Sequence, residues 1–157
     1  MQGASDLSLG FKLKLADQEG LRPHFGVIAE LSLPIGGAPA TSGDVDPAVK
    51  LLWAYDLGES LSVAGNLNLA VPTQDAHRFV QAAASLSVAA ALTERLGTYI
   101  EYFGEYPASD GEDAAHVLNG GFTFLINDNL QIDIRAGFGL NDEAPDLFAG
   151  VGFSVRF

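Results

Sequence analysis

Apolar side chains recur at every second position through nine stretches of the chain, the period that puts alternate side chains on opposite faces of a β-strand. The first predicted strand runs from Asp6 to Leu15, with Leu7, Leu9, Phe11, Leu13 and Leu15 against Ser8, Gly10, Lys12 and Lys14. The second, from about Arg22 to Ile35, sets Phe25, Val27, Ala29, Leu31 and Leu33 against His24, Gly26, Glu30 and Ser32. Val49 to Leu57 places Val49, Leu51, Trp53, Tyr55 and Leu57 opposite Lys50, Leu52, Ala54 and Asp56, and Leu61 to Val71 places Leu61, Val63, Leu67 and Leu69 opposite Ser62, Ala64, Asn66 and Asn68. The fifth strand ends at Leu92. Its alanine run, Ala82 to Ala91, suits a helix by propensity, but the alternation and the Thr93-Glu94-Arg95 turn predict a strand. The remaining four are Leu96 to Tyr106, His116 to Leu125, Leu130 to Leu140 and Leu147 to Phe157, and in the last the odd positions are apolar.

Two regularities set the fold class. Short turns at Asp17, Gly58, Thr93 and Asn127 alternate with longer polar loops at Gly36, Pro72, Pro107 and Asn141, the pattern of transmembrane barrels with tight turns on one rim and elaborate loops on the other. Charged strand residues, including Lys12, Glu30, Lys50, Asp56, Glu101, Glu105, Asp133, Arg135 and Arg156, all fall in the polar phase. A charge facing lipid at mid-depth costs roughly 2 to 4 kcal/mol, so a bilayer enforces such segregation. The prediction is an all-β, antiparallel, up-and-down transmembrane β-barrel. A soluble barrel that binds a ligand in its apolar interior is the alternative. Its outer surface would ordinarily be about a quarter to a third charged, whereas the polar phase here is mostly Gly, Ser, Ala, Asn and Thr.

The 157 residues suit one domain spanning 1–157. They contain no cysteine, which removes disulfides and thiolate metal sites. With 20 Asp and Glu against 8 Lys and Arg the chain is strongly acidic, which excludes nucleic acid as a partner because phosphate binding needs clustered cations. No run of about eighteen apolar residues is present, so no membrane helix is expected, and the first residues show no signal-peptide pattern. Each connection reverses the chain, so the first and ninth strands run the same way. Bacterial single-chain barrels have even strand numbers and antiparallel closure. The expectation is a barrel that lacks N-terminal strands and a signal peptide here, one that closes unusually, or one whose open edges pair with another copy.

The terminal stretch resembles the signal by which outer-membrane barrels are recognised for insertion, with Phe157 and Val155 as its hydrophobic positions and Gly152 and Gly150 before them. Longer stretches carry a second resemblance: Ser5-Asp6-Leu7-Ser8-Leu9-Gly10-Phe11-Lys12, Leu31-Ser32-Leu33-Pro34-Ile35-Gly36, Leu92-Thr93-Glu94-Arg95-Leu96-Gly97 with Glu101, Asn127-Asp128-Asn129-Leu130-Gln131-Ile132-Asp133, and Gly137-Phe138-Gly139-Leu140-Asn141 onward through Ala144-Pro145-Asp146. Together they resemble the outer-membrane family named for the MetA pathway of phenol degradation. The resemblance implies the C-terminal portion of a barrel of about a dozen strands, located in the outer membrane and associated with aromatic-compound catabolism. It brings no catalytic residues.

On this reading Lys12, Glu30, Lys50, Asn66, Glu101, Asp133 and Arg135 line the lumen, where they either border a permeation path or pair with one another as a plug. Gly152, Val155 and Phe157 form the insertion signal. Expected partners are outer-membrane lipid, the barrel assembly machinery and a small hydrophobic or aromatic solute. No cofactor is expected. The acidic runs Asp110-Gly111-Glu112-Asp113 and Asp142-Glu143 lack a full cation-ligand spacing and read as solvated loops. His116 has Ser109 and Asp113 near it in sequence, but nothing around Ser109 resembles a nucleophile motif, so no enzyme is expected. The expected activity is passive passage of small molecules. A barrel with a purely structural role is the other possibility.

Overall fold

The alternating stretches form β-strands throughout the computed structural model, which describes residues 4–38, 41–74, 76–108 and 113–157. In chain order the strands are β1 (Leu7–Ala16), β2 (His24–Leu33), β3 (Asp46–Leu57), β4 (Leu61–Ala70), β5 (Thr73–Gln74), β6 (His77–Arg78), β7 (Gln81–Ala91), β8 (Leu96–Pro107), β9 (Ala115–Asn127), β10 (Leu130–Gly139) and β11 (Phe148–Val155). Nine of them make one antiparallel sheet in the order β1-β2-β3-β4-β7-β8-β9-β10-β11, and β5 and β6 make a separate small hairpin. No pairing joins β1 to β11 among the described residues, so the sheet is not closed. No helix is long and apolar enough to cross a membrane, which leaves a β-barrel span untouched.

Two compact units interleave along the chain: Met1–Trp53, Asn66–Ala84 and Glu105–Asp113 make one; Ala54–Gly65, Ser85–Gly104 and Ala114–Phe157 make the other. In the first unit, β1 and β2 pair so that Leu7 opposes Leu33, Leu9 opposes Leu31 and Phe11 opposes Ala29. Directly opposed residues share a sheet face, so the apolar phases of the two strands meet on one side, and the polar ones, such as Ser8 with Ser32, meet on the other. The register slips once, at Leu15. The intervening turn is held by the reciprocal backbone pair Glu19–Arg22 and by Gly20 in the left-handed region at φ 58°, as the Asp17-Gln18-Glu19-Gly20 sequence predicts. In the second unit Ile132 opposes both Phe153 and Phe124, and Ile134 opposes Val151 and Phe122.

The apolar phase is the exposed one. Leu9, Phe11, Leu67, Ile100, Phe122, Ile134 and Phe153 are all exposed, and among the described residues the only buried hydrophobic ones are Val117 and Ala144. Neither unit has the apolar core that burial ordinarily supplies.

The structure departs from the sequence reading at several ends. β3 begins at Asp46, ahead of the predicted Val49, because Val71 N–H bonds the Pro47 carbonyl and Thr73 Oγ1 donates to Asp46 Oδ1 at 2.8 Å. β9 runs on to Asn127 by accommodating a bulge at Ile126. β11 stops at Val155, short of the predicted Phe157. Arg156 N–H still reaches the Asn129 carbonyl at 2.9 Å, but Asn129 lies in the preceding turn, where no further strand residue is available to pair. The alanine-rich stretch is strand β7, as its alternation predicts, and Thr93 Oγ1 caps the following turn by accepting from the Arg95 and Leu96 amides. Within the long loop before β7, the β5–β6 hairpin carries Ala76 at φ 63°, a conformation costly for a side-chain-bearing residue.

Candidate functional site

Glycines on the polar face make room for the charged side chains opposite them. In the first unit Gly10 opposes Glu30, and a Cβ added at Gly10 would lie 2.8 Å from the Glu30 Cβ. Glu30 in turn holds Lys50, with Nζ 2.8 Å from Oε1 and both side chains about a third exposed (33% and 31%). Lys12 opposes Ile28 and forms no ion pair among the described residues. Asn66 is half-buried on β4, while Asn68, the next residue of the polar phase, buries its Oδ1 with no hydrogen-bond partner among the described residues. Leu52 packs on the same face, with Cδ1 3.8 Å from where a Gly26 Cβ would be. The face is therefore not uniformly polar.

The second unit repeats the arrangement. Asp133 opposes Gly152, where an added Cβ would meet Oδ2 at 2.6 Å, and Arg135 opposes Gly150, where it would meet Nε at 3.2 Å. Neither charge is engaged in an ion pair among the described residues. Glu101 is engaged: its Oε2 accepts from Asn119 Nδ2 at 3.1 Å. Aromatic rings also lie on this face. The Phe148 ring covers Gly137, with Cζ 2.5 Å from a hypothetical Cβ there, and the Tyr99 ring approaches Gly121, with Cε1 at 3.0 Å. Thus the structure joins Glu30 to Lys50, satisfies Glu101 locally, and gives Lys12, Asp133 and Arg135 no ionic partner among the described residues. Position parity in the sequence puts Leu52 and Tyr99 in this phase but does not reveal Phe148, and none of the three stood among the expected lining residues. Each is a bulky residue in the small-residue phase facing or adjoining a glycine, and that pairing is the signal that marks them.

At the short-turn end of the second unit, the polar face opens into a recess of about 500 Å³ lined by Asp56, Glu59, Ser62, Tyr99 and Thr123, with alanines and Gly97 beneath. On the apolar face a hollow of about 320 Å³ surrounds Gly120, rimmed by Ile100, Leu118, Phe122 and Phe138.

Of the groups weighed for catalysis, Ser109 lies outside the described residues. His116 is bound up in a strand-end cluster. Its Nδ1 is 2.7 Å from the Tyr102 hydroxyl, the two rings stack with centroids 6.0 Å apart, and its backbone N–H donates to Asn141 Oδ1. Nδ1 of His24 accepts the Gln18 amide. Most of the acidic run Asp110 to Asp113 is likewise outside the described residues; among those described, no group of three or more His, Asp or Glu is placed to hold a metal.

Two carboxylates at strand ends have lowered pKa values. The Ser42 amide is the main cause at Asp6, assisted by hydrogen bonds from Thr41, Gly36 and the Ser42 hydroxyl. The Asp6 oxygens accept from the Gly36 and Ser42 amides at 3.0 and 2.9 Å, which ties the long loop after β2 back to the start of β1. At Asp17 the hydrogen bond from the Lys14 ammonium dominates, with His24 contributing less.

The whole chain has been compared with family models, and residues 2–157 match the one described as "Putative MetA-pathway of phenol degradation". The chain belongs to this family. The glycine-spaced polar face, with Asp133 and Arg135 opposite Gly152 and Gly150, thus sits inside a match that spans every described strand of this MetA phenol-degradation family member. A search of curated proteins returns no match.

Proposed function

We propose that this chain forms part of an outer-membrane β-barrel through which small hydrophobic or aromatic molecules pass without catalysis. The observation that carries this reading is the inverted burial: leucines, isoleucines and phenylalanines of the apolar phase are exposed, while the described charges on the strands of the nine-stranded sheet fall in the other phase. In water such a face would have to be covered, since exposed apolar patches of this extent mark an interaction surface. Lipid covers it without any further protein. The polar face then borders water, where free charges such as Lys12, Asp133 and Arg135 set ion preference. The family's association with phenol degradation supports aromatic solutes as cargo. The terminal Gly152, Val155 and Phe157 serve as the recognition signal for the barrel assembly machinery.

Heat-modifiable gel mobility tests the reading. The chain refolded into phospholipid vesicles gives a compact, faster-migrating band that boiling abolishes, and gives none in buffer alone. A well-folded monomer in plain buffer is the contrary result, and it would assign the apolar phase to a soluble ligand-binding barrel.

The occupied charges favour one competing role. Glu30 with Lys50 and Glu101 with Asn119 satisfy each other across the polar face, as side chains do in barrels whose interiors are filled. A compact band in lipid with no solute flux or conductance would assign the protein a structural role.

A further inference from the structure

Asp133 and Arg135 stand two residues apart on β10, so they share a face and lie about 6 to 7 Å from each other along the strand. Both side chains lean toward β11. A Cβ built on Gly152 would meet the Asp133 carboxylate oxygens at 2.6 and 2.8 Å, and one built on Gly150 would meet Arg135 Nε at 3.2 Å and Cγ at 3.6 Å. The carboxylate thus rests over one glycine of β11 and the guanidinium stem over the other, side by side. On the opposite flank Gly121 opposes Arg135, with the Tyr99 ring edge above it, and Thr123 opposes Asp133. The Thr123 hydroxyl is turned to β8, 2.7 Å from where a Gly97 Cβ would be. Small residues therefore leave room around both charges.

Opposite charges on one face pair when their side chains meet, as Glu30 and Lys50 do at 2.8 Å in the first unit. Asp133 and Arg135 make no ion pair with each other or with any other described residue. Glu101 on β8 accepts from Asn119 instead. The face therefore presents an acceptor and a donor fork in parallel. A guanidinium takes a carboxylate through two parallel N–H bonds, and a carboxylate takes an ammonium through charge-assisted ones. A guest with a single charge satisfies one half of the pair and sets its charge beside the like-charged half. A guest with both charges satisfies each half.

We infer that Asp133 and Arg135 form a binding site for small zwitterions, the guest's ammonium on Asp133 and its carboxylate on Arg135. The inference rests on the reading that the polar phase borders water, and it adds to the passage of hydrophobic and aromatic solutes a recognition point for a dipolar class.

Three probes share a four-carbon chain and differ in their charged ends: 4-aminobutanoate, butanoate and butylamine. With the full chain folded in vesicles, titration calorimetry is expected to show 4-aminobutanoate binding at least about tenfold more tightly than either of the others, a preference equivalent to roughly 1.4 kcal/mol. Asp133→Asn or Arg135→Gln, each in protein that keeps the compact band, brings 4-aminobutanoate down to the affinity of the singly charged probes. Equal affinity for all three probes in the unsubstituted chain overturns the inference, and so does a preference that survives either substitution. Absence of binding by protein that shows the compact band in lipid overturns it too, while leaving the membrane reading intact. Preference for 4-aminobutanoate in a chain that folds only in buffer supports the site and overturns the membrane reading instead.

Discussion

The Lys50 ammonium lies 2.8 Å from the Glu30 carboxylate, on residues twenty positions apart that the sheet brings together on its polar face. Both side chains keep about a third of their surface exposed, so water and salt weaken the attraction. Exposed pairs of this kind contribute about 0.2 to 1 kcal/mol. A double-mutant cycle of Lys50→Met and Glu30→Gln is expected to return a coupling in that range, measured by urea unfolding from lipid, and to shrink toward zero in molar salt. Coupling of several kcal/mol would mean that the pair is far drier than its exposure indicates.

Asp6 provides a pH-sensitive latch between two segments. Its pKa is lowered from 3.8 because its charged form accepts from Ser42, Thr41 and Gly36. A carboxyl with a depressed folded-state pKa contributes stability above its unfolded value and loses that contribution as pH falls through the folded one. The Gly36 and Ser42 amides are therefore expected to stay protected from hydrogen exchange above pH 3.8 and to lose protection progressively below it. In Asp6→Asn the same amides exchange faster at neutral pH and show no further step in acid. An unchanged acid step in that variant would move the latch to another group.

The number and limits of the long strands were legible because alternation persists through each. From Asp6 to Leu140 the predicted strands match the observed ones to within a few residues, including the alanine-rich β7, where the Thr93 turn outweighed helix propensity. The β5–β6 hairpin was not legible, since strands of two residues have no period to detect. Of the site, the shared polar phase of Glu30, Lys50, Glu101, Asp133 and Arg135 could be read from position parity alone. Their partners could not, because Glu30 with Lys50 and Glu101 with Asn119 depend on register between strands. Phe148 was hidden for a related reason. It looks like an exception in a strand of glycines until Gly137 is known to lie opposite.

That pairing makes Gly137 intolerant of a side chain. A methyl there would fall 2.5 Å from Phe148 Cζ and 2.6 Å from Asn119 Cβ, so Gly137→Ala must displace the ring. Overpacking of this kind costs about 1 to 3 kcal/mol. Removing the ring as well, in Gly137→Ala with Phe148→Ala, is expected to recover part of the loss relative to the sum of the single changes, as read from unfolding in lipid. Strict additivity would show that the ring does not lie on Gly137.

Buried polar atoms without partners are costly, and Asn68 Oδ1 is one. Replacing Asn68 with Leu removes the orphan acceptor and keeps the number and branching of the side-chain heavy atoms. Urea unfolding from lipid is expected to show a change between zero and about 1 kcal/mol of added stability. A loss of more than that would reveal an unseen hydrogen-bond role for the amide.

The facing of the sheet can be tested by one substitution on each side. Ile134 is 56% exposed on the apolar phase of β10, directly opposite Val151 and Phe122, whereas Asn66 belongs to the polar phase of β4. If the apolar phase contacts lipid, an arginine at 134 places a charge in hydrocarbon at a cost of roughly 2 to 4 kcal/mol. Ile134→Arg is then expected to abolish the heat-modifiable band. Asn66→Arg keeps its charge on the watery side, so the band persists and only conductance or ion preference changes. A soluble barrel predicts the reverse for Asn66, whose face would be the outer surface and whose replacement would leave every binding property intact. Equal tolerance of both substitutions contradicts the lipid-facing assignment, because no bilayer treats the two faces alike.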